Sequence, residues 1–199
     1  MATIDFYFDF LSPYSYLAHC RLPQVAAKHG ARINYLPIDL KAAKLAAGNT
    51  APPTVAIPAK MAYAMADFTR WAARYGAPIA FTRAGPPDPL VANLVTFYAL
   101  DHGQAADYVA AMWAATFGSG GRLRAEAVLQ QVCTTMGWNH DDVRAFAASD
   151  EAAARYAQGN AAAQAAGVFG VPTMVVDGEM YWGNDRLDFL DEHLSEQGA

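Results

Sequence analysis

Ser12 is the residue on which chemistry in this chain turns. It stands in Phe6-Tyr-Phe-Asp-Phe-Leu-Ser-Pro-Tyr-Ser-Tyr-Leu17, where a hydroxyl is followed at once by proline. That pair is the signature of a helix start, a capping side chain and then a residue that needs no N–H in the first turn. Before it, Ile4, Phe6, Phe8 and Phe10 alternate with Asp5, Tyr7 and Asp9, a period of two that predicts a β-strand. A strand delivering its chain into a capped helix sets a hydroxyl beside backbone N–H groups that have no helical partner. Those amides and the helix dipole favour an anion. The other reading of Ser12 is a plain cap with no ligand.

A second constellation lies near the C-terminus. Gly170-Val-Pro-Thr173 enters a strand, and the tetrapeptide alone leaves open a cis proline or an ordinary trans turn on an edge strand. With a cis bond, the N–H and C=O of Val171 stay outside the sheet and are available to an extended peptide, as in strand addition.

The elements that must position these residues follow from pattern. A helix is expected over 13–29, with a kink or two helical pieces meeting at Pro23 and a stop at Gly30. Residues 32–38 read as a second strand, giving a parallel βαβ unit with a right-handed crossover. Residues 48–58 are a loop rich in proline. From about 59 to 166 the chain is alanine-rich and helical. Met61, Ala64, Phe68, Trp71 and Tyr75 repeat at helical spacing up to Gly76. A second rigid loop, Ala84 to Pro89, precedes helices near 90–102, 104–117, 124–136, 140–148 and 150–166. Strands return at 173–177 and 179–182 around Asp177-Gly178, a strong hairpin turn, before a last helix to about 194. The fold class is therefore α/β: βαβ, a large all-α insertion, then ββα closing one mixed sheet. Residues 1–42 with 163–199 form one expected domain and 43–162 the inserted helical one.

Composition narrows the function. The chain has 199 residues, 54% hydrophobic and 17% charged, with a net charge of −5. A core is assured, and neither nucleic acid nor an anionic membrane surface is the expected partner. No apolar run long enough to span a bilayer and no signal peptide is evident. Two cysteines, Cys20 and Cys133, fall in separate helices, which points to a reducing cytoplasm and to no disulfide framework. His19, His29, His102, His140 and His193 show no metal-ligand spacing. Ser12 lacks the glycine-flanked elbow of a serine hydrolase.

These segments together resemble the DsbA-like branch of the thioredoxin fold, with Ser12-Pro13-Tyr14-Ser15 where its oxidoreductases carry Cys-x-x-Cys. No sulfur is present for dithiol exchange. More closely, the stretch from Asp5 to Ala18, Arg70-Trp71, and Val168-Phe-Gly-Val-Pro-Thr with Trp182-Gly-Asn-Asp-Arg-Leu187 resemble 2-hydroxychromene-2-carboxylate isomerases, relatives of kappa-class glutathione transferases. The resemblance spans nearly the whole chain and is looser between about 48 and 150. It implies glutathione as cofactor, with Ser12 on its sulfur and Val171 pairing with the cysteinyl backbone. It assigns Trp182, Gly183, Asn184 and Asp185 to the γ-glutamyl end and Lys60 to a glutathione carboxylate. Lys44 is implied to anchor a small aromatic carboxylate substrate.

The implied reaction is cis–trans isomerisation between 2-hydroxychromene-2-carboxylate and trans-o-hydroxybenzylidenepyruvate, or a related aromatic pyruvate. A kappa-like transferase or peroxidase is the first alternative, and a noncatalytic glutathione- or peptide-binding module the second. A homodimer is expected from the resemblance only. Lys44 and Lys60 also read as solvated helix lysines, and Asn184 and Asp185 as a cap. Thr54, Val55 and Gly85 depart from the polar and aromatic substrate contacts of the naphthalene-pathway isomerases. Asn49 or Arg83 are the residues placed to substitute for them.

Overall fold

A computed structural model describes residues 1–80 and 88–197. Four strands form one mixed sheet: β1 (Thr3–Phe8), β2 (Arg32–Pro37), β3 (Thr173–Val176) and β4 (Glu179–Trp182), in the order β2-β1-β3-β4. β1 runs parallel to β2 and antiparallel to β3, and β3 antiparallel to β4. The crossover helix α1 (Pro13–Lys28) connects the first two strands, and α9 (Leu187–Gln197) follows the hairpin. Between the two halves of the sheet lie α2 (Leu40–Ala46), α3 (Pro58–Tyr75), α4 (Leu90–Asp101), α5 (Ala105–Trp113), α6 (Glu126–Met136), α7 (His140–Ala147) and α8 (Asp150–Ala165). The βαβ, helical block, ββα order is the expected one. No helix among the described residues is long and apolar enough to cross a membrane.

Local chemistry accounts for the boundaries. Asp177 and Gly178 both take positive φ, 51° and 83°, as the tight hairpin between β3 and β4 requires. Asp39 caps α2 by accepting N–H groups from Lys41 and Ala42 at 2.8 and 3.0 Å. Ser149 caps α8 through Ala152 N–H at 3.1 Å.

Three expectations are corrected. α1 runs through Pro23 as a single element, so two helical pieces do not meet there. The ring removes one helical N–H, but Leu22, Val25 and Ala26 on either side are buried and hold the turn in place. The helix expected over 104–117 ends at Trp113 and passes into a π turn, Ala114–Gly118. There the chain folds back tightly, with Gly121 N–H bonded to Ala115 carbonyl at 3.0 Å. Finally, the strand pattern reaches Phe10, but β1 stops at Phe8. The next residues turn away toward α1.

Trp113 is the centre of the packing. It is fully buried, with ring centroids 5.3 Å from Phe8, 5.0 Å from Phe10 and 5.0 Å from His19. Phe6, Phe8 and Phe10 thus bury the helical-block face of β1, while Tyr7 joins a smaller cluster on the other face with Ile38, Ala163, Val168 and Val171. One continuous core runs from the sheet into the helices. Truncating Trp113 to alanine should lower the unfolding free energy by about 3–5 kcal/mol in denaturant titration. A loss under about 1 kcal/mol would show that this ring does not organise the core.

Candidate functional site

The chain leaves β1 and enters α1 through a turn held by its own backbone. Ser12 N–H donates to Asp9 carbonyl at 2.9 Å, and Ser12 Oγ accepts Ser15 N–H at 3.2 Å. Ser12 has φ −90° and ψ 115°, the extended geometry of a cap. Its carbonyl takes Tyr16 N–H at 3.2 Å. The hydroxyl hydrogen of Ser12 and the N–H of Tyr14 have no partner among the described residues. Two donors at a helix N-terminus are therefore free, beside a buried side chain only 4% exposed.

Across from this turn, the Val171–Pro172 peptide is cis. The N–H and C=O of Val171 make no hydrogen bond among the described residues. Pro172 carbonyl accepts Gly183 N–H at 2.9 Å, which ties the loop to the segment after β4. Thr173 Oγ1 donates to Gly170 carbonyl at 2.8 Å and closes the loop from behind.

Between the two turns opens a cleft of about 770 Å³. It gathers Ser12, Val171, Trp182, Lys44 and Lys60, five of the residues singled out from sequence. Neither Lys44 nor Lys60 pairs with a carboxylate among the described residues, although the chain is acidic overall. Asn49, Thr54 and Val55 also line the cleft. Thr54 and Val55 stand where sequence comparison placed a departure, and Asn49 is available to substitute. Arg83 and Gly85 lie outside the described residues.

The cleft is mostly apolar elsewhere, with Met61, Ala64, Met65 and Phe68 from α3 forming one wall. Trp182 and Phe169 make an exposed edge-to-face pair at 4.8 Å on the rim. Such a mixture, an apolar slot with a few directed polar groups, is the usual make-up of a small-molecule site.

A family assignment can now be made. A model of the DSBA-like thioredoxin domain matches residues 3–195. A 2-hydroxychromene-2-carboxylate isomerase of Sphingobium xenophagum is 40% identical over 192 residues, covering 96% of this chain and 97% of the relative. One from Pseudomonas putida is 39% identical over 191 residues, covering 96% and 93%. A solved 2-hydroxychromene-2-carboxylate isomerase structure superposes with a TM-score of 0.92 at 38% identity, covering 98% of this chain and 95% of that one. The chain belongs to the 2-hydroxychromene-2-carboxylate isomerase family, within the DsbA-like thioredoxin domains.

The remaining candidates sit beside the cleft and not in its lining. Gly183 takes φ 115° and ψ 149°, a conformation that glycine alone adopts readily. Asn184 is 4% exposed, and its carbonyl accepts Tyr75 Oη at 2.8 Å. Its Nδ2 is buried with no partner among the described residues. Asp185 lies within 3.4 Å of Arg186.

Sequence reasoning missed Tyr14 as a cleft residue. Burial, then the neighbouring Asp67, pushes its hydroxyl up to about 12, so it is a neutral donor that reaches Asp67 Oδ2 at 3.2 Å. It also missed Asp9 and Asn93, buried behind the turn at 1% and 0% exposure. Alternation along the strand set Asp9 between Phe8 and Phe10 and gave no sign of its burial. Only the cap Asp39 signalled α2, the short helix that carries Lys44.

The electrostatics of the turn can be tested without any ligand. A thiol placed there by Ser12→Cys should ionise well below the ordinary value of about 8.5, read from thiolate absorbance against pH. A value at or above the ordinary one would mean that the turn does not favour an anion.

Proposed function

We propose that this protein is a glutathione-dependent cis–trans isomerase of 2-hydroxychromene-2-carboxylate or a related aromatic pyruvate. The observation that carries the reading is the free Ser12 hydroxyl at the α1 N-terminus, facing unpaired Val171 across one cleft. An extended tripeptide with a thiol and carboxylates fits these groups. The Val171 N–H and C=O offer a donor and an acceptor to a peptide backbone, as an edge strand does. Lys60 and Lys44 supply uncompensated positive charge for carboxylates. Gly183, Asn184 and Asp185, beside the cleft, are the residues that the family resemblance assigns to the γ-glutamyl end. The family relatives, each named for the same isomerisation, support the reaction class.

When bound, glutathione would supply a thiolate able to add to a conjugated carbon, so that the double bond becomes single, rotates and reforms on elimination. The chain's own task is to keep that sulfur ionised and the acceptor flat. Ser12 Oγ–H and Tyr14 N–H are charge-assisted donors toward a negative atom at the helix end. Lys44, reaching into the opposite side of the cleft from α2, holds the substrate carboxylate. The apolar α3 wall receives the aromatic ring and keeps water from the reacting atoms.

A thiolate held this way would also serve conjugation. Parallel assays with the chromene and with a chlorinated aromatic acceptor separate isomerase from transferase.

Exhaustively dialysed protein should be inactive toward the chromene and recover on adding glutathione; full activity after dialysis would contradict the reading. In Ser12→Ala, turnover should fall about 100-fold, the scale for losing a donor on a developing or fixed negative charge. The lost cap should cost only about 1 kcal/mol of stability. Unchanged turnover would remove Ser12 from the chemistry. Lys44→Ala should raise KM for the aromatic carboxylate about 10- to 100-fold with kcat less affected, because a charge-assisted contact is worth roughly 1.5–3 kcal/mol. An unaltered KM would place Lys44 outside the substrate site.

A further inference from the structure

Asp9 is among the most deeply buried charged residues described, at 1% exposure, and no basic side chain pairs with it among the described residues. A carboxylate in such a place is costly unless each oxygen is hydrogen-bonded. Its partners are specific. Oδ1 accepts Leu11 N–H at 2.9 Å, and Oδ2 accepts Leu40 N–H at 3.0 Å. Asn93 Nδ2 donates to Oδ1 at 3.2 Å, and Asn93 Oδ1 accepts Phe10 N–H at 3.3 Å. Asn93 Nδ2 also reaches Tyr156 Oη at 3.0 Å.

Leu11 is the residue before Ser12. Leu40 opens α2, one helical turn before Lys44. Both leucines line the cleft. A single carboxylate therefore bolts together the turn that bears the hydroxyl and the helix that bears the lysine. Only a group with two acceptor oxygens can take both amides. Asparagine has one acceptor and one donor, so its NH₂ would face one of the two N–H groups.

We propose that Asp9 is a positioning residue, fixing the Ser12 turn and the Lys44 helix at the separation the reaction needs. The consequence for catalysis rests on the proposed isomerase reading; the structural tie does not. Burial holds the Asp9 carboxyl above its ordinary range, offset in part by the Leu11, Leu40 and Asn93 donors and reinforced by the Asp39 charge. Asp39, Lys41, Asp88 and Tyr156 line the small cavity beside it and complete its charged and titratable surroundings.

The test is Asp9→Asn in the full chain, read in two ways. In ligand-free protein, amide hydrogen exchange at Leu11 and Leu40 should quicken at least tenfold while β1 amides keep their protection. With glutathione and the chromene, kcat should fall about 10- to 100-fold, the scale of a small misplacement of reacting groups. KM for glutathione should stay within about threefold, while KM for the chromene should rise because α2 carries Lys44. Unchanged exchange at both amides, or unchanged kcat, would overturn the proposal. A parallel loss of β1 protection and thermal stability, with KM for glutathione raised as well, would do so too, since that is general unfolding and not positioning. If the wild-type protein shows no glutathione-dependent turnover, the functional reading fails, and the exchange result still decides the tie. Should Asp9→Asn not fold, Asn93→Ala keeps the carboxylate but removes its side-chain donor. It should quicken exchange at Leu11 and Phe10 about tenfold, and no change there would overturn the proposal.

Discussion

A helix that begins inside a protein leaves amide hydrogens pointing at whatever lies beyond its first turn, and the fold must either satisfy them or use them. In this chain α1 begins at the end of the central strand, under the cover of the helical block. Ser12 satisfies one of these amides with its oxygen and leaves its own hydrogen to spare. The N–H of Tyr14 adds a second free donor. A region of positive potential is thereby fixed by backbone beside the cleft that Ser12 lines.

The rest of the architecture keeps that potential aimed. β1 lies between β2 and β3, so its exit point cannot drift without breaking both ladders. Trp113 locks the phenylalanines of β1 from the helical side. The Val171–Pro172 turn, tied to Gly183, holds unpaired backbone groups opposite the helix end. α2 and α3 then bring in lysines and apolar surface. The turn itself carries Ser12 and Ser15 and no cysteine, so the proposed reading draws its thiolate from a bound thiol.

How much of this was legible in sequence depended on whether the signal was local. The Ser12-Pro13 start, the Asp177-Gly178 hairpin and the Gly30, Gly76 and Gly167 helix stops are decided by a few adjacent dihedrals, and the structure places them as expected. Gly170-Val-Pro-Thr173 left the proline isomer open, because that choice is made by the surrounding packing. α2 showed no apolar stripe over its seven residues and was not delineated. Asp9 was hidden for a different reason. Strand alternation only set it apart from the phenylalanines, but β1 stops one residue earlier and the carboxylate turns in toward Leu11 and Leu40. A buried polar tie between residues 31 apart has no periodic trace. The cleft residues Lys44, Lys60 and Trp182 were reached through family resemblance, since their spacing alone also fits solvated positions.

The proposed function requires the α1 N-terminus to hold a borrowed sulfur in its negative form. A crystal structure of the protein with glutathione tests it most directly. The sulfur should lie within hydrogen-bonding distance of Ser12 Oγ, with the cysteinyl backbone paired to Val171. A bound tripeptide whose sulfur lies away from that turn, leaving Ser12 in contact only with its own helix, would contradict it.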